Sequence, residues 1–136
     1  MSPNRATDAY QTVGAYGAVY ADPHHLISML LDGALDRLAR AKGAMQLDDS
    51  ALKGELISAA LTIISGLKGC LNMQQGDPLS NNLADLYDYI CRRVLRASAT
   101  NEPRYLDEVV GLLNEIRAAW GAIPQTVRAE HGHRPR

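Results

Sequence analysis

Leu106, Val109, Leu113, Ile116, Trp120 and Ile123 recur at strictly alternating steps of three and four. Only a helix puts residues at that spacing on one face, and that face needs a partner to cover it. Steps of three and four also run through two other stretches. Ile27, Leu31, Ala34, Leu38, Ala41 and Met45 trace one stripe, and Leu83, Leu86, Ile90, Val94 and Ala97 trace another. Between them, Leu56, Ala60, Ile63, Leu67 and Cys70 form a seam, with Ile57, Leu61, Ile64 and Leu71 alongside. At about 100° per residue, these two rows span roughly half the circumference of a helix, wider than a stripe that meets one neighbour.

The punctuation between these stretches is equally regular. Asp22-Pro23 and Asp77-Pro78 each offer a carboxylate cap followed by a proline at the first helical position, where a missing N–H costs nothing. "LDDS" at 47–50 and "TNEP" at 100–103 turn the chain, and Gly121 and Pro124 stop it. The second helix is expected from about Ser50 to Met73. Four amphipathic segments of about 20 to 25 residues with short connections predict an all-α, antiparallel up-down four-helix bundle. The bundle is expected over 22–123, preceded by an N-terminal cap segment, 1–21, extended or short-helical. A flexible polar tail, 124–136, follows it. With no Phe and one Trp among 136 residues, the core must be aliphatic.

Composition and side-chain chemistry exclude several functions. Fourteen basic residues stand against 15 acidic ones, a net charge of −1, which gives no field to draw the chain onto nucleic acid or anionic lipid. The N-terminal "MSPNRATDAY" lacks the apolar run of a signal peptide, and no stretch of about 18 uninterrupted apolar residues occurs. Cys70 and Cys91 lie inside helical patterns and read as buried thiols of a reducing compartment. These features predict a cytoplasmic domain. His24 and His25 sit at a helix start, His131 and His133 in the tail. None has a cysteine or acidic partner at ligand spacing, and no phosphate loop or nucleophile motif appears. No enzyme activity, metal or cofactor is expected. A histidine-phosphotransfer bundle would need a histidine in mid-helix, and there is none.

"CRRVLR" at 91–96 is the one basic cluster. Asp88 and Arg92, four apart, are expected to pair, and Arg93, one turn after Tyr89, can lay its guanidinium against that ring. The N-terminal "DAYQTVGAYGAVY" holds Tyr10, Tyr16 and Tyr20, half of the chain's six tyrosines, in a segment without helical or strand spacing.

Three stretches also carry a resemblance: "LISMLLDGALDRLARAK", "NNLADLYDYICRRVLRA" and "LDEVVGLLNEIRAAW". Together with Tyr10 they resemble the FliS family of flagellin-specific export chaperones, in order, over residues 10 to 120. Two departures are visible. Asp-Pro-His-His replaces the family's Ser-Pro-Glu-Glu type of helix start, so His⁺ would oppose the helix dipole in acid. Leucine stands where an aromatic often precedes Asp-Gly. The resemblance implies a bundle that binds the C-terminal region of flagellin in the cytosol, prevents its premature polymerisation and delivers it to the flagellar type III export gate. It also implies contact with the gate's cytoplasmic domain. An anti-sigma regulator is a further expected partner. Free, the protein is expected to be a monomer or weak homodimer. A dimerising bundle that buries its wide face against its own copy is the alternative.

Such a chaperone needs spare apolar surface. The expected flagellin contacts are Tyr10, Ile57, Leu61, Ile64, Leu71, Tyr87, Ile90 and Val94. Tyr87 and Val94 flank the third helix's core direction on one side and Tyr89 on the other, Leu95 points almost opposite, and on the fourth helix Leu112 falls well off the seam. A wide stripe also arises when a helix packs on two neighbours, so each residue alone is ambiguous. Tyr10 is read as a displaceable lid over the groove, Tyr16 and Tyr20 as caps on the bundle end, and Tyr89 and Arg93 as stabilising residues.

Overall fold

Asp22 opens the first helix as its sequence predicts. Its Oδ1 accepts hydrogen bonds from the backbone N–H groups of His24 at 3.1 Å, which would otherwise lack a partner at a helix start, and of His25 at 3.3 Å, which it shares with the Asp22 carbonyl at 3.0 Å. Helix α1 spans Pro23–Gln46, α2 Ser50–Leu71, α3 Pro78–Thr100 and α4 Pro103–Gly121. The structure, a computed structural model, describes residues 22–71 and 78–123. The expected cap segment 1–21, the tail 124–136, the Asp77 cap and the end of the second helix at Met73 lie outside the described residues.

The turns at one end of the bundle are built from local chemistry. Past Leu47, Asp48 takes a left-handed φ of 58°. Its N–H then reaches the Met45 carbonyl at 3.2 Å, and that of Asp49 reaches Ala44 at 2.9 Å. This pair of reversed bonds closes a helix in the Schellman manner, with aspartate in the place glycine usually takes. Asp49 then caps α2, its Oδ1 accepting from the Leu52 N–H at 3.1 Å. Asn101, also at φ 58°, ends α3. Lys53 from α2 crosses to that end, donating to the Ser98 carbonyl and to Asn101 Oδ1, each at 3.2 Å. A cation is well placed on the negative end of a helix.

Each helix packs on its neighbours in the chain, and α4 closes the ring against α1. Asp32 pairs with Arg117 at 2.8 Å and Lys42 with Asp107 at 2.8 Å. These pairs run in opposite sequence directions and so hold α1 and α4 antiparallel. The observed fold is the antiparallel four-helix bundle that the periodicity predicts.

Leu31, Leu38, Ile64, Leu67, Ile90, Val94, Leu106, Val109 and Leu113 are fully buried, each such side chain contributing about 1.5–3 kcal/mol. The burial is uneven along the bundle. All the buried core side chains lie from Leu31, Leu67, Tyr87 and Leu113 to the end that holds the 47–49 turn. Toward the other end Ile27, Leu30, Leu71, Leu83, Leu86, Ile116 and Trp120 are only partly covered.

Candidate functional site

Helix α2 is the least charged surface of the bundle. From Leu56 to Leu67 it carries no Asp, Glu, Lys or Arg. Five residues of that stretch, Leu56, Ile57, Ala60, Ile64 and Leu67, face the interior. Ser58, Thr62 and Ser65 face outward, flanked by half-buried Ala59, Leu61, Ile63 and Gly66. By length and composition this helix would also suit a membrane span, but here its apolar side is taken up by the other helices. Its outer side from Ser58 to Ser65 is small and uncharged. A second helix can approach such a face closely without stranding a charge.

The burial corrects part of the sequence reading. Ile57 and Ile64 are 4% and 0% exposed, and Tyr87, Ile90 and Val94 are 3%, 0% and 0%. They are core residues, not a surplus surface row. The reason is geometric: α2 packs on both α1 and α3, so its core centre falls between the two apolar rows. Ile63, assigned to the seam, instead lies half-buried beside α1, its Cδ1 3.4 Å from where a Cβ at Gly33 would stand. Of the expected contacts, Leu61 and Leu71 keep partial exposure. Tyr10, Tyr16 and Tyr20 lie outside the described residues.

The thinly covered end has a clasp that the periodicity did not reveal. Trp120 Nε1 donates to the His24 carbonyl at 3.0 Å, while His24 Nε2 lies 2.9 Å from the Trp120 carbonyl. A carbonyl only accepts, so His24 carries its proton on Nε2 in this contact. The two rings stack at 4.7 Å between centroids, 14° from parallel. This closes the start of α1 onto the end of α4. Trp120→Ala is expected to lower stability by about 2 kcal/mol, a melting shift of roughly 8 °C, because the residue is only half-buried. Trp120→Phe should lose less than half of that. Thermal unfolding followed by circular dichroism measures both.

The comparisons with known proteins bear on this geometry. The family model described as flagellar protein FliS matches residues 6–127. The chain belongs to the FliS family. It is 44% identical to the flagellar secretion chaperone FliS of Salmonella typhimurium over 117 residues, 85% of this chain and 87% of the relative. It is 41% identical to the flagellar secretion chaperone FliSB of Pseudomonas aeruginosa over 124 residues, 90% and 98%. With the FliS of Vibrio cholerae it shares 40% over 104 residues, 76% of each chain.

In this FliS-family chain the "LYDYICRR" stretch does two jobs. Tyr87 and Ile90 fill the core, and burial pushes the Tyr87 phenol up to about 12, so it stays neutral. Tyr89 and Arg93 look the other way and tie α3 to α4. The Tyr89 hydroxyl donates to Glu108 at 2.5 Å, Arg93 Nε donates to the same carboxylate at 2.7 Å, and the Arg93 guanidinium lies 4.6 Å from the Tyr105 ring centre. The stacking of Arg93 on Tyr89, at 5.7 Å, is as expected. The Asp88–Arg92 pair is not formed: Asp88 instead takes Lys68 of α2 at 2.7 Å. Cys70 and Cys91 are free thiols, half-buried rather than buried, and burial raises both above their ordinary range.

The Tyr89 hydrogen bond, and then that of Arg93, hold Glu108 below the ordinary glutamate value of 4.5. A depressed carboxylate contributes stability above its unfolded value, and that contribution fades as pH falls through the folded one. Glu108→Gln is therefore expected to flatten the acid side of the stability curve, below about pH 4.5. The difference should be about 2 °C in melting midpoint, since the pair is part-solvated. Melts between pH 3 and 6, compared with wild type, measure it.

Proposed function

We propose that this protein binds the C-terminal region of flagellin in the cytosol, keeps it from polymerising early, and delivers it to the flagellar type III export gate. The observation that carries this is the uncharged outer side of α2. A flagellin terminus without its polymer partners is a set of amphipathic segments that pair with other flagellins. Ser58, Thr62 and Ser65, flanked by Leu61, offer such a segment a substitute helix to pack on. Leu71 and the partly covered end, with Leu30, Leu83 and Leu86, extend the apolar area. An apolar area continued over neighbouring elements in this way is the usual mark of a binding site.

In this reading Tyr10 is a lid, resting on the apolar surface while no client is present and displaced when flagellin binds. Its ring covers apolar area and its hydroxyl stays wet. The export gate's cytoplasmic domain receives the loaded complex. An anti-sigma regulator is a further partner of the same proposal.

Co-expression with the flagellin of the same organism tests the reading. The two should co-purify one to one, and deletion of flagellin's C-terminal segment should abolish capture. A protein that stays dimeric and ignores that segment would be the self-pairing bundle instead. Tyr10→Ala separates lid from contact: a lid variant binds flagellin as well or better and exposes more surface to a hydrophobic dye. A sharp loss of affinity would make Tyr10 a direct client contact.

A further inference from the structure

Four arginines gather over two tyrosines where α3 meets α4. Arg92 lies 5.8 Å and Arg93 5.7 Å from the Tyr89 ring centre; Arg93, Arg96 and Arg104 lie 4.6, 5.7 and 4.8 Å from that of Tyr105. These contacts restrict the guanidiniums, and Arg96 and Arg104 also donate to the neutral Tyr105 hydroxyl, which leaves their charge in place. Two of the four already have carboxylates, Arg93 with Glu108 and Arg104 with Glu102, each at 2.7 Å. The other two do not. Among the described residues, no carboxylate lies within ion-pair distance of Arg92 or Arg96.

Arg92 and Arg96 are one turn apart on the outward side of α3. Beside Arg92, one turn on and about 100° round the helix from Arg96, Leu95 is 54% exposed, and among the large hydrophobic side chains of the described residues Leu47 alone is more so. The side of α3 thus presents two unneutralised guanidiniums with an uncovered apolar side chain next to the first of them. In a chain whose acidic and basic residues nearly balance, a solvated helix side of this kind would ordinarily hold its own counter-charges. Asp88, the residue spaced to neutralise Arg92, is instead drawn to Lys68.

We propose that the Arg92–Leu95–Arg96 side of α3 docks an acidic polypeptide segment, one carrying two carboxylates a helical turn apart beside an apolar side chain. The carboxylates take the planar guanidiniums, which suit paired oxygens, and the apolar side chain covers Leu95. Polyphosphate fits less well, since Glu102 and Glu108 sit beside the cations and would repel a long anionic strand. The site lies outside the uncharged side of α2, so it does not depend on the flagellin-binding reading.

The test uses the full chain and a labelled helical peptide with two glutamates four apart flanking a leucine. Its counterpart has glutamine for glutamate, and anisotropy is read at physiological ionic strength. The glutamate peptide should bind at least about tenfold tighter than the glutamine one, the gain expected of two partly exposed ion pairs. Arg92→Gln/Arg96→Gln should erase that difference while the melting midpoint falls by no more than a few degrees, roughly the loss of two exposed ring contacts. Arg40→Gln/Arg117→Gln, which removes the same charge elsewhere, should leave it within about twofold. Three results would overturn the proposal: equal binding of the two peptides, equal loss in both double variants, or duplex DNA bound more tightly through the same two arginines. Unaltered flagellin capture by Arg92→Gln/Arg96→Gln would show this surface to be separate from the α2 site.

Discussion

A carboxylate placed at Thr62 is expected to leave the bundle folded and to remove most of its affinity for flagellin's C-terminal segment. Thr62 is exposed, and its hydroxyl donates only to the Ser58 carbonyl one turn back in its own helix, at 3.0 Å. Glutamate there faces water in the free protein, so the melting midpoint should move by no more than about 2 °C. In the complex the same carboxylate would be enclosed by a client helix with no cation near it, since α2 carries no charge between Glu55 and Lys68. Covering an unpaired charge costs at least about 2 kcal/mol, so the dissociation constant should rise roughly thirtyfold or more. Asn114→Glu, an equal change on the exposed side of α4, is the control and should bind within about twofold. Titration calorimetry of each variant with the flagellin segment decides the matter. Unchanged affinity in Thr62→Glu would mean that the client does not use this side of α2.

The fold was legible because its signals are local. A cap and a proline at Asp22-Pro23 act within four residues, and the three-four alternation of α4 fixes its buried side wherever its partners lie. The turn at 47–49 was legible for the same reason, although the left-handed aspartate at its centre was not. Leu56 to Leu71 was harder. A helix with apolar residues over half its circumference has no centre that periodicity can define, and its neighbours choose one. Here α1 and α3 together chose the line between the two rows, which put Ile57 and Ile64 inside and Ile63 at the edge.

The site was less legible, because its decisive contacts join residues far apart in sequence. Spacing gave Asp88 to Arg92, but Lys68, on another helix, takes that carboxylate at 2.7 Å. His24 and Trp120 are separated by most of the chain, and nothing in either neighbourhood marks the pair. Conversely, the absence of charge from Leu56 to Leu67 stands in the sequence, although a reading by hydrophobic spacing passes over it. Its meaning depended on knowing that Ser58, Thr62 and Ser65 point outward, because an uncharged run is ordinary inside a core and unusual on a surface.

Ile64→Ala and Leu61→Ala should separate core from contact on this same helix. Ile64 is 0% exposed and its truncation leaves a cavity among tightly packed aliphatic neighbours, at a cost of about 3 kcal/mol and roughly 10 °C in melting midpoint. Its affinity for flagellin, measured well below that midpoint, should change by less than about threefold, because the side chain never reaches the surface. Leu61→Ala should show the reverse weighting. Leu61 is half-buried against the core, so it should lose only about 1 kcal/mol of stability, yet weaken flagellin binding about tenfold by removing apolar area at the docking surface. The pairing matters because a destabilised chaperone can fail to hold its client merely by being unfolded. Binding measured at a temperature where each variant is fully native removes that route. If Ile64→Ala then loses affinity as much as Leu61→Ala, the bundle must open on binding to present its interior, and the client surface would be the core itself.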